Sequence, residues 1–185
     1  MIDVDHVVLL DDEGRAIGTA PKSSVHGTDT ALHLAFSCHV MNDRGQILVT
    51  RRALGKTTWP GVWSNSFCGH PRPAEPVINA VQRRAEYELG ITLADIELAL
   101  PLFRYRAVDA SGIVEHEVCP VYIARTATEP VLNPLEVSEA KWVDPHDLGT
   151  SLTATPWAFS PWLVLQAQQL HLFDSEPALP RRRAS

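Results

Sequence analysis

Cysteine is scarce: Cys38, Cys68 and Cys119 are the only three in 185 residues, and they form no CxxC pair. An odd number without paired spacing fits neither a disulfide framework nor a thiolate zinc cluster, so a reducing, cytoplasmic setting is expected. Long apolar runs are also missing. The first apolar stretch, residues 7–10, is far shorter than a signal-peptide core or the roughly 20 residues of a membrane span, so no membrane partner is expected. Positive charge is in deficit as well. Sixteen Lys and Arg against 22 Asp and Glu leave a net charge of −6, which argues against a chain-wide surface for nucleic acid; an anionic substrate must be met locally.

No repeat or linker divides the sequence. The 14 prolines and 10 glycines are scattered and hydrophobic residues make up 45%, which excludes disordered and collagen-like classes. The length suits a single domain. Residues 1–175 are read as that domain, and residues 176–185, with two prolines, three arginines and no apolar periodicity, as a flexible basic tail.

Residues 5–10 read as a strand, with a turn at the acidic residues before Gly14. Residues 32–41 and 46–50 are apolar, β-rich runs on either side of Asn42, Asp43, Arg44 and Gly45, and are expected to pair as antiparallel strands around a tight turn. Over residues 76–89, Val77, Ile78, Val81, Ala85 and Leu89 form a helical stripe that Gly90 closes. Residues 103–107 and 113–124 read as strands joined around Asp109 to Gly112, residues 140–143 as a short further strand, and residues 161–172 as a closing helix. This order gives an α+β fold, a mixed sheet sandwiched between helices.

Strand alternation puts Glu115, Glu117 and Cys119 on one face and His116 on the other. Two stacked carboxylates are either a solvated strand face or, if buried, a pair that needs a cation or a proton between them. His26, His33 and His70 lie in three separate segments. Three imidazoles with carboxylates suit a divalent transition ion, although no HExxH-type spacing ties them together. Cys68 lies in WPGVWSNSFCGHP (59–71), whose tryptophan, proline and glycine shape a rigid loop that holds backbone close to a ligand. It is either a small buried hydrophobe or an accessible, activated thiol. Lys22, Arg51, Arg52 and Lys56 are either donors for a phosphate or a solvated charged rim.

From Gly69 the chain runs five residues to Glu75, seven more to Arg83, and on through Arg84, Tyr87, Glu88 and Gly90. This resembles the Nudix box, the loop-helix-loop motif whose glutamates hold divalent ions against a diphosphate. Arg84 and Tyr87 occupy positions where Nudix hydrolases carry glutamates, whereas Glu88 is retained. Around that box, HLAFS (33–37), TRRAL (50–54), WPGVW (59–63), residues 65–71, FRYR (103–106), residues 115–120 and TPWAFSPW (155–162) resemble the type 1 isopentenyl-diphosphate isomerase family over about residues 4–170.

The resemblance implies a Nudix-like fold and an isomerase that interconverts isopentenyl and dimethylallyl diphosphate for isoprenoid biosynthesis. It implies that Cys68 and Glu117 are the acid/base pair on opposite faces of the substrate, with Tyr105 and Trp162 as the active-site tyrosine and tryptophan. It also implies a divalent ion, manganese, zinc or magnesium, on His26, His33, His70, Glu115 and Glu117. A magnesium ion would accompany the diphosphate and be held by Glu88, with Lys22, Arg52 and Lys56 as phosphate contacts. Protonating an unactivated alkene builds cationic character, and the face of Trp162 would stabilise it by about 2 kcal/mol where water is excluded, roughly thirtyfold in rate. Such an enzyme would act on a small-molecule diphosphate as a monomer or weak homodimer. Two other functions compete: a Nudix diphosphohydrolase that activates water with magnesium, which Arg84 and Tyr87 argue against, and a non-catalytic diphosphate-binding module in which Cys68 is merely buried.

Overall fold

A computed structural model describes residues 5–174. The expected tail, residues 176–185, lies outside them. From the N-terminus the chain forms β1 (His6–Leu10), β2 (Ala16–Pro21), a one-turn α1 (Lys22–Val25), β3 (His33–Leu34), β4 (Phe36–Met41), β5 (Ile47–Arg52), β6 (Trp63–Ser64) and β7 (Phe67–Gly69). It continues through α2 (Val77–Leu89), β8 (Ala94–Leu100), β9 (Arg104–Val108), β10 (Val114–Val118), β11 (Val121–Arg125), β12 (Val137–Val143), α3 (Pro145–Ala154) and α4 (Pro161–Ala167).

The strands make two sheets, one in the order β2-β1-β3-β10-β9 and one in the order β12-β5-β4-β11-β8, with β6 added to β5 and β7 to β4. The second is mixed, and helices cover both its faces. Because side chains alternate along a strand, Phe36, Cys38 and Val40 of β4 pack with Ala80, Val81, Ala85 and Leu89 of α2. On the opposite face, Ile47 and Val49 of β5 and Val121 of β11 pack with Leu148 and Leu152 of α3 and Trp162 and Leu163 of α4. Gly90 ends α2 in the left-handed region, at φ 60°, as its position past the apolar stripe predicts.

The two longest expected strands are each broken. Residues 32–41 divide at Ala35 into β3 and β4, and residues 113–124 divide at Cys119 and Pro120 into β10 and β11, where Pro120 has no N–H to continue a ladder. Each first half joins the first sheet and each second half the second. The halves pair in parallel on both sides of the break, His33 opposite Glu117 and Ser37 opposite Val121. This double crossover sets an imidazole beside a carboxylate with no help from sequence spacing.

The expected hairpin of residues 32–41 and 46–50 holds only at its turn. The Gly45 N–H bonds the Asn42 carbonyl at 3.0 Å, and Met41 pairs with Ile47, after which the strands part. Residues 63–69 fill the gap as β6 on β5 and β7 on β4. Ser66 bridges the split: its Oγ accepts the Val40 N–H at 2.7 Å and donates to the Leu48 carbonyl at 2.6 Å. The wedge carries Cys68 into register with Ser37. The closing helix is shorter than expected, ending at Ala167, and β2, β6, β7, β8, α1 and α3 go beyond the elements expected from sequence. Helix α3 begins at Asp144, whose carboxylate accepts the His146 N–H at 2.9 Å, with Pro145 in the first turn.

Candidate active site

His26 follows α1, His33 lies on β3, His70 follows β7, and Glu115 and Glu117 project from the same face of β10. The ring centroids of the three histidines are 5.1, 5.1 and 5.7 Å apart. One ligand atom from each histidine and one from Glu117 all lie within 4.8 Å of one another. Glu115 joins through His26, its Oε2 lying 2.9 Å from His26 Nε2, while its Oε1 accepts the Thr58 hydroxyl at 2.6 Å. The buried reading of the carboxylate pair is therefore correct, and both glutamates are buried.

The donor set fits a divalent ion. His33 Nδ1 donates to the Ala31 carbonyl at 2.9 Å, which fixes the tautomer and leaves the Nε2 lone pair facing Glu117 Oε1 at 3.5 Å. His33 Nε2, His26 Nε2 and Glu115 Oε2 are buried and make no hydrogen bond, although the last two lie close together. Lone pairs converging on one point without a proton between them are what a cation satisfies. Burial drags His70 down to about 4, against the hydrogen bond and charge of Glu117. Burial also pulls on His33, but the Glu117 carboxylate outweighs it and leaves His33 raised. Burial alone would raise Glu117; the neighbouring imidazoles of His33 and His70 outweigh it and hold Glu117 well below the usual carboxylate range. Its two oxygens are differentiated, Oε1 facing His70 Nε2 at 3.1 Å and Oε2 accepting the Tyr105 hydroxyl at 2.9 Å.

Cys68, Tyr105, Glu115 and Trp162 line a cavity of about 260 Å³ beside this group. Glu117 is reached through Tyr105 and His70, which also line it. Burial pushes the Cys68 thiol up to about 12, against the Ser37 hydrogen bond, so it is a thiol at neutral pH. The Trp162 ring packs against Trp59 and Tyr105 at 5.4 and 5.7 Å, and its Nε1–H is shared by Ser64 Oγ and Asn65 Oδ1, each 2.9 Å away. A larger groove of about 940 Å³ runs between α3, α4 and residues 171–174 and contains none of these groups.

Lys22, Arg52, Lys56 and Arg84 stand at the mouth of the cavity. Lys22 Nζ is 3.7 Å from Asp5, and Lys56 pairs with Glu136. Arg52 donates to the Thr58 carbonyl at 2.8 Å and lies over Trp162 with its Cζ 5.3 Å from the ring centroid. Glu88 does not join the histidine group: Arg84 pairs with it and, at 3.1 Å, with Glu136. Burial raises Glu88, with the Arg84 charge opposing. Gly69 lets this helix face approach, since a Cβ there would sit 2.8 Å from Arg84 Cγ. Thr58, Glu136, Ser37 and Gln166 carry no spacing signal that could have singled them out. Ser37 and Asn65 stood inside recognised segments without a role.

The family model for the NUDIX domain matches residues 31–163. A crystal structure of the Deinococcus radiodurans protein DR0079 shares the fold at a TM-score of 0.69 and 20% identity, covering 89% of this chain and 98% of that one. The fold and the buried glutamate-bearing motif thus define a NUDIX-domain protein. A protein of Agromyces mediolanus named isopentenyl-diphosphate Delta-isomerase is 70% identical over 164 residues, 89% of this chain and 80% of that protein. One of the same name from Clavibacter sepedonicus is 64% identical over 165 residues, 89% of this chain and 87% of that protein. The chain belongs to the isopentenyl-diphosphate Delta-isomerase family of NUDIX-domain proteins.

Proposed function

We propose that this chain interconverts isopentenyl diphosphate and dimethylallyl diphosphate, adding a proton at the terminal alkene carbon and removing one from the carbon next to the oxymethylene. The observation that carries this reading is a thiol, a carboxylate-linked tyrosine and a tryptophan on one cavity that the metal-type donor group and a cationic mouth both border. The identity to proteins bearing that name supports it.

Cys68 and Glu117 are the acid/base pair. At Cys68 a proton passes between Sγ and carbon, the S–H electron pair remaining on sulfur. At Glu117 the exchange uses Oε2, and the Tyr105 hydroxyl bonded to it is placed on the cavity wall to pass the proton. Trp162 faces the developing cation. His26, His33, His70, Glu115 and Glu117 would hold a divalent ion, which would supply fixed positive charge beside the Glu117 carboxylate. Three imidazoles favour manganese or zinc over magnesium there. Lys22, Arg52 and Lys56 anchor the diphosphate; magnesium would accompany it and neutralise its charge, with Glu88, which here pairs with Arg84, as the residue that would hold the ion. The hydrolase alternative is disfavoured by Arg84, whose cation already lies between Glu88 and Glu136. We place the protein in the cytoplasm, where Cys68 stays reduced, as a monomer or weak homodimer supplying isoprenoid biosynthesis. Among the described residues no helix is long and apolar enough to cross a membrane.

Proton and phosphorus spectra of the protein with isopentenyl diphosphate and magnesium in deuterated water test the reading. It predicts loss of the vinylidene signals, deuterium in the dimethylallyl product and an intact diphosphate. Phosphate release without alkene change would replace it with the hydrolase, and unchanged spectra after added manganese or zinc with the binding module.

A further inference from the structure

Behind Cys68 runs a line of polar side chains that are at most 1% exposed: His39, Gln166, Ser37 and Asn65. His39 Nε2 lies 2.9 Å from Gln166 Oε1, and Gln166 Nε2 lies 2.9 Å from Ser37 Oγ. Ser37 Oγ is 3.2 Å from Cys68 Sγ and 3.4 Å from Cys119 Sγ. On its other side, Cys68 Sγ meets Asn65 Oδ1 at 3.3 Å. Neither the metal-type group nor the cationic mouth requires any of these four residues.

The direction of each hydrogen bond follows from what its atoms can do. Asn65 Nδ2 faces the carbonyls of Cys38 and Phe67 at 3.0 and 2.8 Å, and carbonyls only accept, so the amide is fixed with Oδ1 toward Cys68. That oxygen also accepts the Trp162 Nε1–H and the Ser64 hydroxyl, both at 2.9 Å. His39 Nδ1 is buried without a hydrogen-bond partner. A bare lone pair there is less costly than an orphaned N–H, so the proton sits on Nε2 and donates to Gln166 Oε1. The Gln166 amide group must then donate to Ser37. Gln166 thus fills one lone pair of Ser37 Oγ, and the single hydroxyl proton of Ser37 has Cys68 Sγ, at 3.2 Å, as its nearer sulfur, Cys119 Sγ lying at 3.4 Å.

We propose that Ser37 and Asn65 are positioning residues for Cys68, Ser37 donating a hydrogen bond to the sulfur and Asn65 accepting one from it, with Gln166 and His39 setting the polarity of Ser37. The proposal rests on the acid/base role of Cys68 given above. When the S–H bond breaks and the C–H bond forms, the electron pair stays on a sulfur that already holds the Ser37 hydrogen bond; in the reverse step the same donor faces the thiolate that takes the proton. Asn65 ties the thiol and the Trp162 indole to one anchor, so the proton carrier and the cation-facing ring keep a common frame.

Gln166→Glu keeps the shape and the bond to His39 but presents an acceptor to Ser37, turning its hydroxyl away from the sulfur. Ser37→Ala removes that hydroxyl outright. Turnover of isopentenyl diphosphate, with kcat and KM separated, is measured for both variants, their double mutant and Ser37→Thr, with near-ultraviolet circular dichroism to confirm packing. The expected result is a kcat about tenfold lower in each single variant at unchanged KM, no further loss in the double, and recovery in Ser37→Thr. Wild-type kcat in a folded Ser37→Ala, or losses that multiply in the double, would overturn the proposal. An inactive wild-type protein overturns the isomerase reading itself, and is seen before any variant is made.

Discussion

The histidine–glutamate centre and the cationic mouth border the same cavity, yet their charges are handled in opposite ways. At the mouth three of the four cations have a carboxylate at hand: Lys22 has Asp5, Lys56 has Glu136, and Arg84 has Glu88 and Glu136, while Arg52 donates to the Thr58 carbonyl and lies over Trp162. In the centre, His26 Nε2, His33 Nε2, His70 Nδ1 and Glu115 Oε2 are buried without hydrogen-bond partners. Leaving such an atom unsatisfied costs about 1–3 kcal/mol, so four in one place approach a domain's whole stability of about 5–15 kcal/mol. A cation bound by this group would offset that cost. The mouth has most of its charge already paired and can exchange those partners when an anion arrives, which suits a ligand that must leave again.

The comparison breaks most severely at the reacting groups. Cys68→Ala and Glu117→Gln should each lower turnover by about a thousandfold or more in the deuterium-exchange assay, and Cys68→Ala should keep a cooperative melt because the wedge is held by Ser66 and Asn65 rather than by the thiol. Chelation should come next: removing the ion should abolish turnover and lower the melting temperature by several degrees, manganese should restore both, and Lys56→Ala should leave the chelator's thermal effect unchanged.

Away from both regions, His39 tests burial without a cation. Burial lowers it to about 4, against about 6.5 when unfolded, so its contribution is present above pH 6.5 and is lost as pH falls from 6.5 toward 4. Across that window the loss is about 3 kcal/mol, and His39→Gln should flatten the stability-against-pH curve measured by denaturant unfolding. The smallest effect is expected at Glu136→Gln. Freeing Lys56 and Arg84 should lower KM severalfold at low salt, and the gain should shrink as salt is added.

The fold's local pieces were legible where the pattern is local. The stripe of α2 and its Gly90 cap need only period and a left-handed end residue, and the β9–β10 turn at Asp109 to Gly112 needs only turn chemistry. The break at Ala35 was not legible, because residues 32–41 hold no glycine or proline to mark it, whereas Pro120, which cannot continue a ladder, does mark the second. The wedge of β6 and β7 was hidden because its pairing partners lie across a split hairpin, not next in sequence. Of the site, the alternation that stacks Glu115 on Glu117 could be read directly and His26, His33 and His70 could be named as candidate ligands by residue type, whereas their meeting depends on the double crossover, which no spacing shows. The pairing of Glu88 with Arg84 is legible in spacing, four residues apart on one helix.

The central claim, a cavity organised around a resident cation, is tested most directly by measuring metal content and turnover on the same sample after exhaustive dialysis without diphosphate. One equivalent of a divalent ion per chain, turnover that falls in proportion as the ion is stripped, and loss of both in His33→Ala is the predicted result. Full turnover from protein holding less than about a tenth of an equivalent would contradict it.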